Sequence, residues 1–124
     1  MKKIASILVF VLAFAFNANA QDKTVKTISL EQTKGEFTQK SLTVSEGTYV
    51  FEISNNHAAK EVGLVLMQKG KDASNPENHI QSAYVTTVVK EGKVEKTNPT
   101  VLKKGEYVYF CPLNPTPQYT LIVE

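Results

Sequence analysis

Gly105-Glu106-Tyr107-Val108-Tyr109-Phe110-Cys111, then Pro112-Leu113-Asn114-Pro115-Thr116-Pro117, then Gln118-Tyr119-Thr120-Leu121-Ile122-Val123-Glu124 is the stretch that decides the fold. Two runs rich in aromatic and β-branched residues flank a loop holding three prolines. Such runs favour extended backbone, and prolines fix φ and stiffen the connection, so a strand, a rigid loop and a returning strand are expected. The single cysteine of the chain stands where the first strand meets the loop.

Outward from this pair, short β-patterned runs separated by turn residues dominate. Thr27 to Leu30 and Leu42 to Val44 are brief, and Gly47 marks a turn before Thr48 to Ser54. In that run Tyr49, Phe51 and Ile53 alternate with polar Glu52 and Ser54, the period of a half-buried strand. After Asn55-Asn56, the run Val62-Gly63-Leu64-Val65-Leu66-Met67 is apolar on both faces and predicts a central strand, closed by Lys69-Gly70-Lys71.

The middle of the chain reads differently. Ser74 or Asn75 can cap a short helix with Pro76 at its first position and Glu77 in its first turn, and Ile80, Ala83 and Tyr84 share one face. About two turns are expected, because Val85-Thr86-Thr87-Val88-Val89 is β-branched and pulls toward extended structure. Glu91-Gly92-Lys93 is a turn, and Thr100-Val101-Leu102 leads through Lys104-Gly105 into the closing strand pair. About seven or eight short strands with one helical excursion predict an all-β antiparallel Greek-key β-sandwich, since each strand hides one face and two sheets must cover each other. An open or closed barrel is the competing architecture.

The first residues read as an export signal. Lys2 and Lys3 are a positive n-region, Ile4 to Phe16 an apolar core, and Ala18-Asn19-Ala20 a small-x-small cleavage site before Gln21. The expected organisation is a signal peptide over 1–20 and one domain over 21–124, in a periplasmic or secreted protein. An uncleaved anchor is the rival reading, but the apolar run falls short of the roughly 20 residues that span a bilayer. No stable membrane anchor is expected after cleavage.

Without Lys2 and Lys3, the fourteen lysines fall to twelve, equal to the twelve Asp plus Glu, and the chain has no arginine. This balance argues against electrostatic capture of nucleic acid or anionic membrane, and it removes the bidentate donor that phosphate and carboxylate sites favour. One cysteine cannot form an internal disulfide. In an oxidising compartment the Cys111 thiol is left with burial, metal ligation, or pairing with another chain.

Three segments together resemble the cupredoxins. Ser41 to Phe51 (Ser-Leu-Thr-Val-Ser-Glu-Gly-Thr-Tyr-Val-Phe) is similar to their "ltV-x-x-Gt-v-f" strand pair. Asn55-Asn56 followed by Lys60-Glu61-Val62-Gly63-Leu64 is similar to their "N…H-x-V" segment. Gly105-Glu106-Tyr107, Tyr109-Phe110-Cys111 and Leu121-Ile122-Val123 are similar to their "G-x-Y-x-Y-x-C…V-x-V" pattern, and Tyr-x-Tyr-Phe-Cys-Pro is the most specific part. The resemblance implies a type 1 copper site built from two His, one Cys and a weak axial Met, suited to electron transfer.

On this alignment the thiolate position is kept as Cys111, while the two histidine positions hold Lys60 and Asn114. No methionine follows the cysteine; Gln118 is the nearest axial candidate, a role Gln fills in some cupredoxins. An ammonium at Lys60 would have to point away from a bound cation or lose its proton at a cost. Even changes outside the direct ligand set typically cost about 10–100-fold in metal affinity, so loss of imidazole ligands costs more. The implied site is therefore degraded, and the cofactor is either none or copper.

Each singled-out residue carries two readings. His57, three residues before Lys60, is a solvated loop histidine or, swung toward Cys111, part of a His57-Cys111-Gln118 copper site. His79 reads as exposed on the expected helix, and Met67 as core. Cys111 itself is either a ligand or an inert buried thiol. Catalysis is not expected: only His57, His79 or Lys60 could activate the thiol, and no catalytic motif is present. The reading that results is a small exported domain acting as a binding or accessory module toward a periplasmic protein, with no nucleic-acid partner. Its alternative is a copper-binding electron-transfer or copper-handling protein using Cys111, His57 and Gln118.

Overall fold

The computed structural model describes residues 24–124. The export-signal reading of 1–20 lies outside the described residues. Among the described residues there are eleven strands: β1 (Val25–Thr33), β2 (Glu36–Phe37), β3 (Ser41–Val44), β4 (Gly47–Asn55), β5 (Glu61–Val62), β6 (Val65–Gln68), β7 (Val89–Lys90), β8 (Val94–Lys96), β9 (Thr100–Leu102), β10 (Gly105–Phe110) and β11 (Tyr119–Val123). One sheet has the order β2-β1-β4-β8, with β9 pairing the start of β4 on the same edge that β8 pairs further along; the facing sheet has the order β3-β11-β10-β6. A small ribbon of β5 and β7 lies at one end.

The alternation read in the sequence is the alternation of burial. In β4, Tyr49, Phe51, Ile53 and Asn55 are the buried positions, and in β1 they are Ile28, Leu30 and Gln32. Phe37, Phe51, Ile53, Leu66, Tyr109 and Leu121 are fully enclosed between the sheets. A β-sandwich of the expected kind results. Its sheets are mixed, however: β1 runs parallel to β4 and β3 parallel to β11, while the other pairs are antiparallel.

Two local expectations need correction. The run Val62 to Met67 is two strands, broken at Gly63-Leu64, and β6 is an edge strand. The burial of Val65 to Met67 comes from cover by the following segment, where the Ile80 amide donates to the Leu66 carbonyl at 2.8 Å and His79 bridges Met67. That same contact limits the helix to two 3-10 turns, Pro76–Asn78 and Gln81–Ala83. Asn75 caps the first as expected, its carboxamide oxygen accepting from the Glu77 amide at 3.0 Å. His79 and Ile80 then become extended to meet β6, which ends the turn. His79 is consequently half-buried, held between the Tyr84 hydroxyl (2.7 Å) and the Ala73 carbonyl (2.8 Å).

The sandwich has two different ends. At one, β4 and β10 begin, each with a Gly-x-Tyr sequence. Tyr49 donates to the carbonyl of Ser45 at 2.7 Å and Tyr107 to that of Lys103 at 2.8 Å, so each hydroxyl ties down the turn four residues upstream. Gly105 has φ of 153°, a conformation that other residues rarely adopt. At the opposite end β1 and β4 finish, and the loop after β10 passes over them.

Candidate functional site

Cys111 follows the last residue of β10 and is fully buried at this second end. Its sulfur accepts two backbone N–H groups at 3.3 Å, one from Gly63 in the break between β5 and β6 and one from Asn114 in the Pro-rich loop. Thr116 closes the loop on itself: its hydroxyl accepts from the Cys111 amide at 3.0 Å and its amide donates to the Cys111 carbonyl at 3.3 Å. The prolines fix the loop's shape, and these bonds fix its position over the strand end.

Asn114 is 2% exposed and its carboxamide faces inward. The NH2 group donates to the Gln32 side-chain oxygen (3.1 Å) and to the Thr33 carbonyl (2.9 Å), and the oxygen accepts from the Gly35 amide (2.8 Å). Gln32 in turn donates to the Gly63 carbonyl at 2.8 Å. Cys111, Asn114, Gln32 and Gly63 thus form one continuous network joining the loop, the β1–β2 turn and the β5–β6 break. Beside it, Asn55 pairs with Gln32 across β4 and β1. The Asn55 carboxamide accepts from the Ala58 amide and donates to the carbonyls of Ala59 and Val89, all at 2.9 Å.

The other residues singled out in the sequence lie on the surface. His57 is exposed at the tip of the β4–β5 loop and pairs through Nδ1 with the Glu91 carboxylate at 3.0 Å. With φ of 56°, it is the one non-glycine residue among those described that has a positive φ, in a loop that the Asn55 side chain closes by bonding to Ala58 and Ala59 just after it. Lys60 and Gln118 are exposed as well. The structure therefore brings Cys111 and Asn114 together and leaves His57, Lys60 and Gln118 outside their network. Among the described residues, no three His, Cys, Asp or Glu side chains are placed to share a metal ion.

A family model described as the cupredoxin-like domain matches residues 5–123. The chain belongs to that family. Among solved structures it is similar to auracyanin A, a "blue" copper protein from the green thermophilic photosynthetic bacterium Chloroflexus aurantiacus, with 20% identity, TM-score 0.63, and coverage of 82% of this chain and 100% of that one. It is also similar to the auracyanin of Roseiflexus castenholzii, with 19% identity, TM-score 0.60, and coverage of 80% and 97%. At these identities the likeness concerns the fold. No curated protein sequence matches the chain.

Within this cupredoxin-like frame, sequence reasoning missed Gln32, Asn55 and Gly63. A usable signal existed for two of them. Gln32 and Asn55 each occupy the inward phase of a strand whose other inward positions are apolar, so a buried, bonded carboxamide was predictable at both. Gly63 contributes through its backbone, which leaves no mark in the pattern.

Proposed function

We propose that this protein is an exported, non-catalytic cupredoxin-like binding module whose copper site has become a protein-only hydrogen-bonded core. The observation that carries this reading is the donor set at Cys111. Copper of this type requires soft sulfur and imidazole nitrogen ligands. Around Cys111 the available groups are one buried thiol and two carboxamides, and both carboxamides are engaged with protein partners. Both histidines of the chain are bonded elsewhere, His57 to Glu91 and His79 to Tyr84 and Ala73. These residues do not fit a type 1 copper ion.

A module without the metal acts through its surface. The surface that best supports this is a shallow depression of about 280 Å3 above the Cys111 end, between Leu64 and Val65, Tyr84 and Val85, and Pro112 and Leu113. Leu113 is 52% exposed on a loop that the network below holds rigid. An apolar side chain presented on a fixed loop loses little entropy on binding, which favours capture of a protein partner. The Lys2-to-Ala20 signal pattern and the family's auracyanin-like fold support a periplasmic or secreted setting.

Two measurements test the reading. Titration of the mature, reduced protein with Cu(II) is expected to give no saturable thiolate-to-copper absorption band; an intense one-to-one band would establish the electron-transfer or copper-handling alternative with Cys111, His57 and Gln118. A photo-crosslinker at Leu113 is expected to capture a periplasmic protein that the same group at Val101, exposed at the opposite end, does not. Equal capture at both positions would remove the docking surface.

A further inference from the structure

We infer that the Gln32–Asn114 carboxamide pair takes over the mechanical task that a metal would have had at this end of the sandwich, cross-linking three segments distant in sequence and sealing the Cys111 thiol from solvent. This rests on the metal-free reading above and adds to it a named device. A metal ion at a strand end ties its ligands' segments together, and binding energy becomes folding energy. Here the same convergence is achieved by Asn114, whose side chain reaches residues 82, 81 and 79 positions earlier in the chain: Gln32, Thr33 and Gly35. Gln32 extends the link to Gly63, whose amide returns it to the Cys111 sulfur.

Every side-chain nitrogen and oxygen of the pair has a protein partner. Both N–H groups of Asn114 donate, its oxygen accepts, and Gln32 donates and accepts, so among the described residues no enclosed side-chain polar atom lacks a partner. A buried network bonded in this way is worth keeping only as a unit. Removing one member leaves its partners unpaired in an apolar setting, whereas removing both carboxamides together leaves fewer orphans. The two residues are therefore energetically coupled.

The experiment uses the mature chain, with Gln32→Met, Asn114→Leu and the double variant, all melted in chelator and again with one equivalent of Cu(II). Each single variant is expected to melt roughly 5–20 °C lower, and the double variant to lose clearly less than the two losses summed. The Cys111 thiol, buried in the native protein, is expected to react with an aromatic disulfide reagent at least ~10-fold faster in either single variant. Should a variant fail to fold, hydrogen exchange on the unmodified protein decides: the Gly35, Gly63 and Asn114 amides, bonded to side chains rather than to a sheet, are expected to be protected like the strands. Single variants melting within about 2 °C of the native protein, additive losses, or open-loop exchange at these amides would overturn the inference while the metal-free reading stands. A copper-induced rise in the native melting temperature together with a visible band would overturn that reading itself.

Discussion

The two ends of the sandwich solve one problem in opposite ways. Where strands begin or finish, backbone groups lose their sheet partners and must be satisfied before the core is closed. At the Gly47 and Gly105 end, Tyr49 and Tyr107 do this from their own strands, each reaching a carbonyl four residues back. At the Cys111 end, three buried carboxamides do it across the fold, with Asn114 bonding residues about eighty positions away. The first kind of closure is local and forms with the turn it caps. The second exists only when β1, the β5–β6 break and the Pro-rich loop have all arrived, so its loss is felt by every segment it joins.

This contrast predicts a hierarchy of mutational effects. Asn55→Leu removes three bonds and orphans the Ala58 amide and two carbonyls, and is expected to cost about 3 kcal/mol or more in chemical denaturation; a cost near that of a surface change would deny the carboxamide end its role. The core between the ends has a phenol of its own. Burial pushes the Tyr109 hydroxyl up to about 12, so the folded state holds its proton more tightly than the unfolded chain. Its contribution is complete below the unfolded value near 10 and is lost as pH rises toward 12, with about 2–3 kcal/mol at stake. Unfolding free energies measured across this range should fall in the native protein and fall less in Tyr109→Phe.

At the local end, Tyr49→Phe and Tyr107→Phe each remove one hydroxyl-to-carbonyl bond at a partly exposed rim. About 1 kcal/mol apiece is expected, and the double variant should be additive, in contrast to the coupled pair at the other end. The smallest effect belongs to His57→Gly. It relieves a positive φ but gives up an exposed pair with Glu91, and since such pairs contribute about 0–1 kcal/mol, stability should change by less than about 1 kcal/mol. A large loss at His57 would mean that the loop carries more of the fold than its exposure allows.

Legibility in the sequence follows the same division. Strand positions were readable wherever one face is buried, because Tyr49-Phe51-Ile53 and Tyr107-Tyr109 impose a period of two that survives any topology. The Gly-x-Tyr turns were visible as turns, since their geometry depends on neighbours in the chain. What escaped was set by distant contacts. The run Val62 to Met67 looked central because it is apolar on both faces, yet that burial is supplied by residues 79–84 folding over an edge strand. The helix ended early because β6 offered the Ile80 amide a carbonyl, an opportunity that propensity does not record. At the site, the place of the cysteine at the end of a strand was legible. The carboxamide network was not, because a polar residue in an inward phase announces burial without naming its partner.

The placement of β11 bears on how the molecule is made. It pairs with β3 on one side and β10 on the other, so the strand that leaves the synthetic machinery after all the others described occupies an interior lane of its sheet. Until it arrives, β3 has no partner in its sheet and β10 exposes one unpaired edge. The nascent chain therefore remains an incomplete, edge-exposing intermediate until residues 119–123 are available, a state prone to self-association. With so many pairings between distant residues, closure is expected to be slow, in the millisecond-to-second range rather than microseconds.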